Sequence, residues 1–277
     1  MSKFSVFRFA GMNIHYCHFP FEYFLDSMIR LGIENIEIWA ASPHFYVDDL
    51  KIASVNRIKK KIKERNLKVI CLTPEQCVYP INIAAQETKI RNRSLKYFYR
   101  NIELASELDI PIMLVTPGWG YFSKSNNEAW KRSRNSLEQL SIRAEKLGIT
   151  LALEPISPYN SNIINNLSSL NKMLLEINSF NLKGMLDLGQ MAILHEKITD
   201  YLNVLKNNLI HIHFIDSNEQ GAHLALGDGY LPLQDYVDII SRSKYKGYLT
   251  LEIADKSYYL EPEKALKKSL EKLKQML

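Results

Sequence analysis

Eight short apolar runs recur along the chain, each separated from the next by a longer segment whose apolar residues repeat at helical spacing. That alternation constrains the fold more than any other feature, because it is the pattern of a parallel βα protein. The runs that read as strands cover residues 4–9, 35–39, 68–72, 112–116, 150–154, 184–187, 209–214 and 248–253. The helical segments between and after them cover 22–31, 50–65, 87–107, 127–147, 167–177, 198–205, 233–243 and 261–276. Gly32, Gly148 and Gly247 stand between a helix and the next strand, where a glycine relieves a left-handed C-cap. A doubly wound open sheet shares this alternation, but eight units and acidic strand ends favour closure into a (β/α)8 barrel, which needs about 250 residues. No linker or low-complexity segment interrupts the rhythm, so residues 1–277 read as one barrel domain.

Four of the runs end in a side chain that can bind a cation. Glu154 closes Leu151-Ala152-Leu153, Asp187 closes Gly184-Met185-Leu186, His213 closes Ile210-His211-Ile212, and Glu252 closes Leu249-Thr250-Leu251. The gaps between them are 33, 26 and 39 residues, and a strand with its return helix takes about 30 or more. These four residues therefore end strands five to eight, and in a barrel the strand ends converge on one mouth. Three carboxylates and an imidazole gathered there repel one another and are costly to desolvate unless a positive charge joins them. One nitrogen and three oxygens suit Mn2+, Co2+ or Mg2+, with Zn2+ also compatible. Taken singly, each residue has a plainer explanation as a cap, a surface group or a satisfied core histidine. Their joint position at adjacent strand ends is what argues for a metal. His211 shares a face with His213 one layer below.

Composition narrows the class further. Apolar residues make up 46% of the chain, enough for a large core, and no run approaches the roughly 20 apolar residues of a membrane span. The opening Met1-Ser2-Lys3-Phe4-Ser5 reads as a strand and not as a signal peptide. Cys17, Cys71 and Cys77 form an odd, sparse set without CxxC spacing, which fits a reducing compartment and a cytoplasmic location. The net charge of +5 is carried by runs such as Lys59-Lys60-Lys61, which read as solvated helix faces. Basic residues are not interleaved with aromatics, so neither a nucleic acid nor a membrane is the expected partner. A small molecule is.

Trp39 and Trp119 close strands two and four, where an indole can wall a sugar pocket or simply pack. His44 and Tyr79 follow strands and are candidates for substrate contact. Glu37 lies inside strand two, on the face of Trp39, and a buried carboxylate there needs a partner. Gly227-Asp228-Gly229 is too short for a phosphate loop and reads as a turn. Leu266, Leu270, Leu273 and Leu277 form a stripe on the last helix that suits packing on the barrel or, as the alternative, a subunit interface.

Several of these strings carry a resemblance. They include Ile36-Glu37-Ile38-Trp39 with Pro43-His44, Thr73-Pro74-Glu75, Tyr79-Pro80-Ile81-Asn82, and Glu154-Pro155-Ile156-Ser157-Pro158-Tyr159 with Ser161-Asn162. His211-Ile212-His213-Phe214-Ile215-Asp216-Ser217, His223 with Gly227-Asp228-Gly229, and Gly247-Tyr248-Leu249-Thr250-Leu251-Glu252 complete the set. The chain resembles the xylose-isomerase-like superfamily of sugar isomerases and epimerases, in particular the branch of fructoselysine 3-epimerase and the tagatose and psicose 3-epimerases. The resemblance implies a divalent ion, commonly Mn2+, held by Glu154, Asp187, His213 and Glu252. It implies an isomerase of ketoses or sugar derivatives, in which the metal acts as Lewis acid toward a cis-enediolate. Glu154 and Glu252 would then remove and return the C3 proton on opposite faces. Dimers or tetramers are also implied.

The matching positions depart from the free-ketose enzymes at three places: Asn160 replaces a glutamate, Gln190 a substrate-binding histidine, and Glu219 a substrate-binding arginine. Asn160 still hydrogen-bonds a hydroxyl or serves as a turn residue. Glu219 suits a cationic substrate such as an amino sugar or a sugar–amino acid conjugate. These changes leave two rivals to an epimerase: a metal-dependent lyase on the same barrel, and a sugar-binding relative without turnover. A nuclease of the endonuclease IV kind is argued against by the modest charge and the seven scattered histidines.

Overall fold

The computed structural model describes residues 8–277. Eight parallel strands run in the order β1 to β8 and close into a barrel: β1 (Phe9–Met12), β2 (Asn35–Ala40), β3 (Lys68–Pro74), β4 (Ile112–Val115), β5 (Thr150–Leu153), β6 (Leu182–Asp187), β7 (Leu209–His213) and β8 (Tyr248–Leu251). Interleaved with them are α1 (Phe21–Leu31), α2 (Ile52–Glu64), α3 (Thr88–Glu107), α4 (Asn126–Lys146), α5 (Leu167–Ile177), α6 (Leu188–Ile193), α7 (Ile198–Leu205), α8 (Leu233–Arg242) and α9 (Pro262–Met276). Most of the first expected strand, at residues 4–7, lies outside the described residues, and β1 begins only at Phe9.

The strands are buried almost end to end. Strands covered on both faces must be apolar at nearly every position, which is why they appear in the sequence as runs without alternation. The polar interruptions, Glu37, His211, His213 and Thr250, are themselves wholly buried. Burial of such groups is tolerated only with partners.

The molecule falls into two compact units. One comprises, of the described residues, 8–70 and 186–277. In it β1 pairs with β2 and β8, and β7 pairs with β8. The registers set Met12 opposite Glu37 and His213 opposite Thr250. The last helix buries Leu266, Leu270 and Leu273, and the Leu266 side chain approaches Gly11, where a Cβ would also collide with Met28 Sδ at 2.5 Å. The other unit comprises residues 71–185 and pairs β3 with β4, β4 with β5, and β5 with β6.

Gly32 and Gly148 adopt φ of +70° after their helices, as the cap argument requires. Gly247 does not. α8 ends at Arg242, and Gly247 is needed for space: a Cβ there would lie 2.3 Å from Tyr245 Oη and 2.4 Å from the Ile210 carbonyl. Helix α6 was not visible as a periodic segment, because six residues are too few to show a period.

Candidate metal and acid–base site

The site in the first unit is built from the ends of β6, β7 and β8. Asp187 is the last residue of β6 and the N-cap of α6; its Oδ1 accepts from the Gln190 backbone N–H at 2.7 Å. His213 ends β7. Glu252 follows β8 by one residue, and its N–H donates to the Thr250 carbonyl at 3.1 Å. Asp187 and His213 are wholly buried, and Glu252 is nearly so.

Distances within the cluster are short. His213 Nδ1 lies 2.7 Å from Glu252 Oε2 and 3.9 Å from Asp187 Oδ2. His223, on the loop after β7, adds a second imidazole: Nδ1 is 3.1 Å from Glu252 Oε2, and Nε2 is 3.9 Å from Asp187 Oδ1. Asp187, His223 and Glu252 each offer an atom within 4.8 Å of the others. Behind the cluster, Glu37 receives His211 Nε2 at 2.7 Å and His213 Nε2 at 3.1 Å. The partner that this buried carboxylate needed is thus a pair of histidines.

These distances set the charge states. Burial raises the Asp187 carboxyl, and the neighbouring Glu252 charge adds to that, outweighing the histidines. Burial acts the same way on Glu252, but His213 and His223 override it and hold that carboxyl at about 2. Burial alone would lower both imidazoles. Glu252 and Glu37 instead push His213 well above its ordinary value, and Asp187 with Glu252 raises His223 to about 9. The cluster therefore gathers protons in place of a cation.

The donor set also fits a metal. Among the described residues, the buried Asp187 Oδ2 has no hydrogen-bond partner, and His213 Nδ1 has none apart from the Glu252 carboxylate that faces it at 2.7 Å. Buried polar atoms are nearly always paired. Two such atoms of ligating type beside a carboxylate are what a cation site presents when described from its protein atoms alone. Imidazole and carboxylate together suit Mn2+, Co2+ or Zn2+ as readily as Mg2+.

The remaining candidates are distributed over both units. In the first, Trp39 is half-buried and its backbone is bracketed by Asn13, which accepts from Trp39 N–H at 2.7 Å and donates to its carbonyl at 3.1 Å. The Asn13 amide also reaches His44 Nδ1 at 3.0 Å, while His44 Nε2 meets the Phe19 carbonyl at 2.7 Å. Both ring nitrogens of His44 are thus engaged internally, which leaves the ring face for contact. Gln190 sits in the first turn of α6, and Glu219 is exposed on the turn closed by Gly221 N–H to the Asn218 carbonyl.

In the second unit Glu154 follows β5, buried, with its N–H donating to the Val115 carbonyl at 3.0 Å. Tyr79 and Trp119 line one cavity, and Trp119 and Asn160 line its neighbour. Two residues of the site region carried little weight in the sequence. His223 was only part of a matched string, because a lone histidine on a loop has no strand position to identify it. Asn13 gave no signal.

Fold and cluster together are those of a closed parallel barrel with a candidate site for a divalent cation at the C-terminal strand ends. Residues 25–276 match the family described as the xylose isomerase-like TIM barrel, and the chain belongs to that family. It is 30% identical over 260 residues to fructoselysine 3-epimerase of Shigella flexneri, covering 93% of this chain and 94% of the relative. Among solved structures it is similar to D-psicose 3-epimerase with D-tagatose from Clostridium cellulolyticum H10, with a TM-score of 0.81 at 16% identity, covering 98% of this chain and 99% of that one. It is also similar to the IolI protein solved with a binding zinc atom, with a TM-score of 0.79 at 16% identity over 97% of each chain. The chain is an enzyme of the isomerase class. Among the described residues no helix is long and apolar enough to cross a membrane.

Proposed function

We propose that the protein is a divalent-metal-dependent epimerase of a ketose or ketose derivative, acting at the carbon next to the carbonyl. The observation that carries this reading is the buried convergence of Asp187, His213 and Glu252 with an orphaned Asp187 Oδ2 atom. In this reading Glu154, at the end of β5, is the fourth ligand, and Mn2+ is the preferred ion, with Co2+, Mg2+ or Zn2+ able to replace it. The zinc-bound likeness supports a metal without fixing which.

A bound divalent ion would act as a Lewis acid, lowering the cost of charge on the substrate oxygens as a proton leaves the adjacent carbon. The chain's own residues do the rest. Glu154 and Glu252 follow strands three apart in the barrel order, a separation that suits one carboxylate on each face of a planar enediolate. One removes the proton and the other returns it from the opposite side. Low dielectric around Glu252 strengthens each of these interactions.

Trp39, Tyr79, Trp119 and the ring of His44 are proposed as apolar walls for the substrate, and Asn160, Gln190 and Glu219 as its polar contacts. Similarity to fructoselysine 3-epimerase favours a sugar conjugate over a free ketose. Three free cysteines support a cytoplasmic setting.

Incubation of the manganese-loaded enzyme with fructosyl-lysine or D-psicose in D2O tests the reading. One deuterium should enter at C3 of the epimerised product, without loss of water from the sugar. Glu154→Gln and Glu252→Gln should each abolish the exchange while melting as folded proteins. Dehydrated product would establish a lyase instead, and full exchange in either variant would refute the two-base scheme.

A further inference from the structure

The second unit holds two cavities that share Cys77, Ile81 and Trp119 as lining residues. The first, of about 300 Å3, opens beyond β5 and is lined by Gln76, Thr116, Ile156 and Asn160. Its floor is polar and fixed, since Gln76 Oε1 accepts from Thr116 N–H at 2.7 Å and from Thr116 Oγ1 at 2.8 Å. Ile156 and Asn160 follow Glu154 by two and six residues, so this chamber belongs with the sugar end of the substrate. The second cavity, of about 260 Å3, lies beyond Trp119 and differs in character.

Three aromatic rings wall it: Tyr79, Trp119 and Tyr121. Trp119 and Tyr121 meet edge to face at 6.0 Å. The indole is held in place from its backbone, because Asn82 accepts from Trp119 N–H at 3.0 Å and donates to its carbonyl at 2.9 Å. Two opposite charges line the same cavity. The Glu87 carboxylate accepts from Tyr121 Oη at 2.9 Å, and the Arg93 guanidinium uses one N–H on the Pro80 carbonyl at 2.5 Å. The two do not pair with each other, and among the described residues neither forms an ion pair elsewhere. Lys124 is tied to Gln86 Oε1 at 2.9 Å and sits over the Tyr121 ring, adding positive charge to that rim.

We infer that the cavity between Trp119 and Arg93 is a subsite for the zwitterionic head of an α-amino acid, borne on a flexible chain by the sugar that reacts beyond Trp119. This rests on the epimerase reading and specifies its substrate as a sugar–amino acid conjugate. Glu87 takes the ammonium, which the aromatic walls also attract through their π faces. Arg93 takes the carboxylate, which matches its planar fork. The methylene chain crosses Trp119. Cation recognition, expected of Glu219 on sequence grounds, thus falls to Glu87 on a different loop.

Four probes test this on the manganese-loaded enzyme: fructosyl-lysine, fructosyl-cadaverine (no carboxylate), Nα-acetyl-fructosyl-lysine (no α-ammonium) and D-psicose. KM and calorimetric Kd are read for each. Wild type should favour fructosyl-lysine about tenfold over either truncated conjugate. Arg93→Gln should raise its KM about tenfold at constant kcat and erase its advantage over fructosyl-cadaverine. Glu87→Gln should erase its advantage over the acetylated probe. Neither variant should alter D-psicose. Equal KM and Kd for the three conjugates, or variants that change nothing, would overturn the subsite while leaving the epimerase intact. If no probe exchanges its C3 proton, the epimerase reading fails, and the calorimetric preferences still decide the subsite.

Discussion

Glu37 Oε1 stands 3.1 Å from His213 Nε2, and both side chains are wholly buried. With Nε2–H donated to Glu37, Nδ1 is the nitrogen turned toward Glu252 and Asp187, and it is the one that gives up its proton when a cation binds. Carboxylates placed behind metal-binding histidines commonly change affinity by about 10–100-fold when removed. Glu37→Gln is nearly isosteric but offers one acceptor to two histidines, so Mn2+ Kd should rise by about that factor in calorimetry. Its melting temperature should stay near wild type. Glu37→Ala should be worse, since stranding partners of a buried ion pair costs about 3–5 kcal/mol. Unchanged Mn2+ affinity in Glu37→Gln would show that His213 does not depend on Glu37.

In the proposed reading, protons and metal compete for the same cluster. His213 is held well above its usual value, and His223 is raised to about 9, so the metal-free enzyme is protonated there at neutral pH. Ligands must shed protons to bind. Affinity for Mn2+ should therefore climb as pH rises from about 6.5 toward 9, by about tenfold per unit for each proton displaced. Calorimetry at pH 7 in two buffers of different ionisation heat should find at least one proton released per ion. Zero release would exclude His213 as a ligand.

How much of this was legible in the sequence follows from what each element must satisfy. Strands buried on both faces have to be apolar throughout, so seven of the eight stood out with ends within about two residues of the structure, whereas the run at 4–9 shares only Phe9 with the observed β1. Asp187, His213 and Glu252 stood out because they interrupt apolar runs where the strands end. Glu37 announced a need for a partner, and the β1–β2 and β7–β8 registers supplied it from residues about 175 positions away. His223 did not stand out, because its place is set by loop contacts: the Asp216–Leu224 bridge and the Ala254 and Asp255 N–H groups on the His223 carbonyl. Such long-range pairing leaves no local pattern. Glu87 and Arg93 are exposed charges at the start of α3 with no pattern of their own, and only the fold sets them around one cavity.

His15 should govern part of the acid sensitivity. It is wholly buried, and burial outweighs the backbone groups of Pro262 and Ile253 beside the ring, pushing the imidazole down to about 3. In the unfolded chain it titrates near 6.5. Below that pH the unfolded state gains a proton that the folded state refuses, so stability is complete above 6.5 and declines as pH falls toward 3. The slope is about 1.4 kcal/mol per unit. Urea unfolding at pH 7.5 and 5.0 should show wild type losing about 2 kcal/mol more than His15→Phe over that interval. Parallel profiles would mean that His15 is protonated or solvated in the fold.

The loop that delivers His223 depends on a glycine. Asp216 is buried and accepts from the N–H groups of Ser217 and Gly227 at 2.9 Å and of Leu231 at 3.1 Å. A Cβ at Gly229 would lie 2.3 Å from both Asp216 Oδ1 and the Ser217 carbonyl, so an alanine must displace backbone or break those bonds. Gly229→Ala should cost about 1–3 kcal/mol, the usual range for forced overpacking. At roughly 2–4 °C of melting temperature per kcal/mol, that is a drop of several degrees. The displacement should also reach the metal site, because the same loop fixes His223 beside Glu252. Mn2+ Kd should therefore rise in Gly229→Ala, whereas Gly32→Ala, where a Cβ would meet nothing within 4 Å, should lower stability through its positive φ alone and leave Mn2+ affinity intact. Equal effects of the two substitutions on Mn2+ affinity would show that the loop after β7 does not position the site.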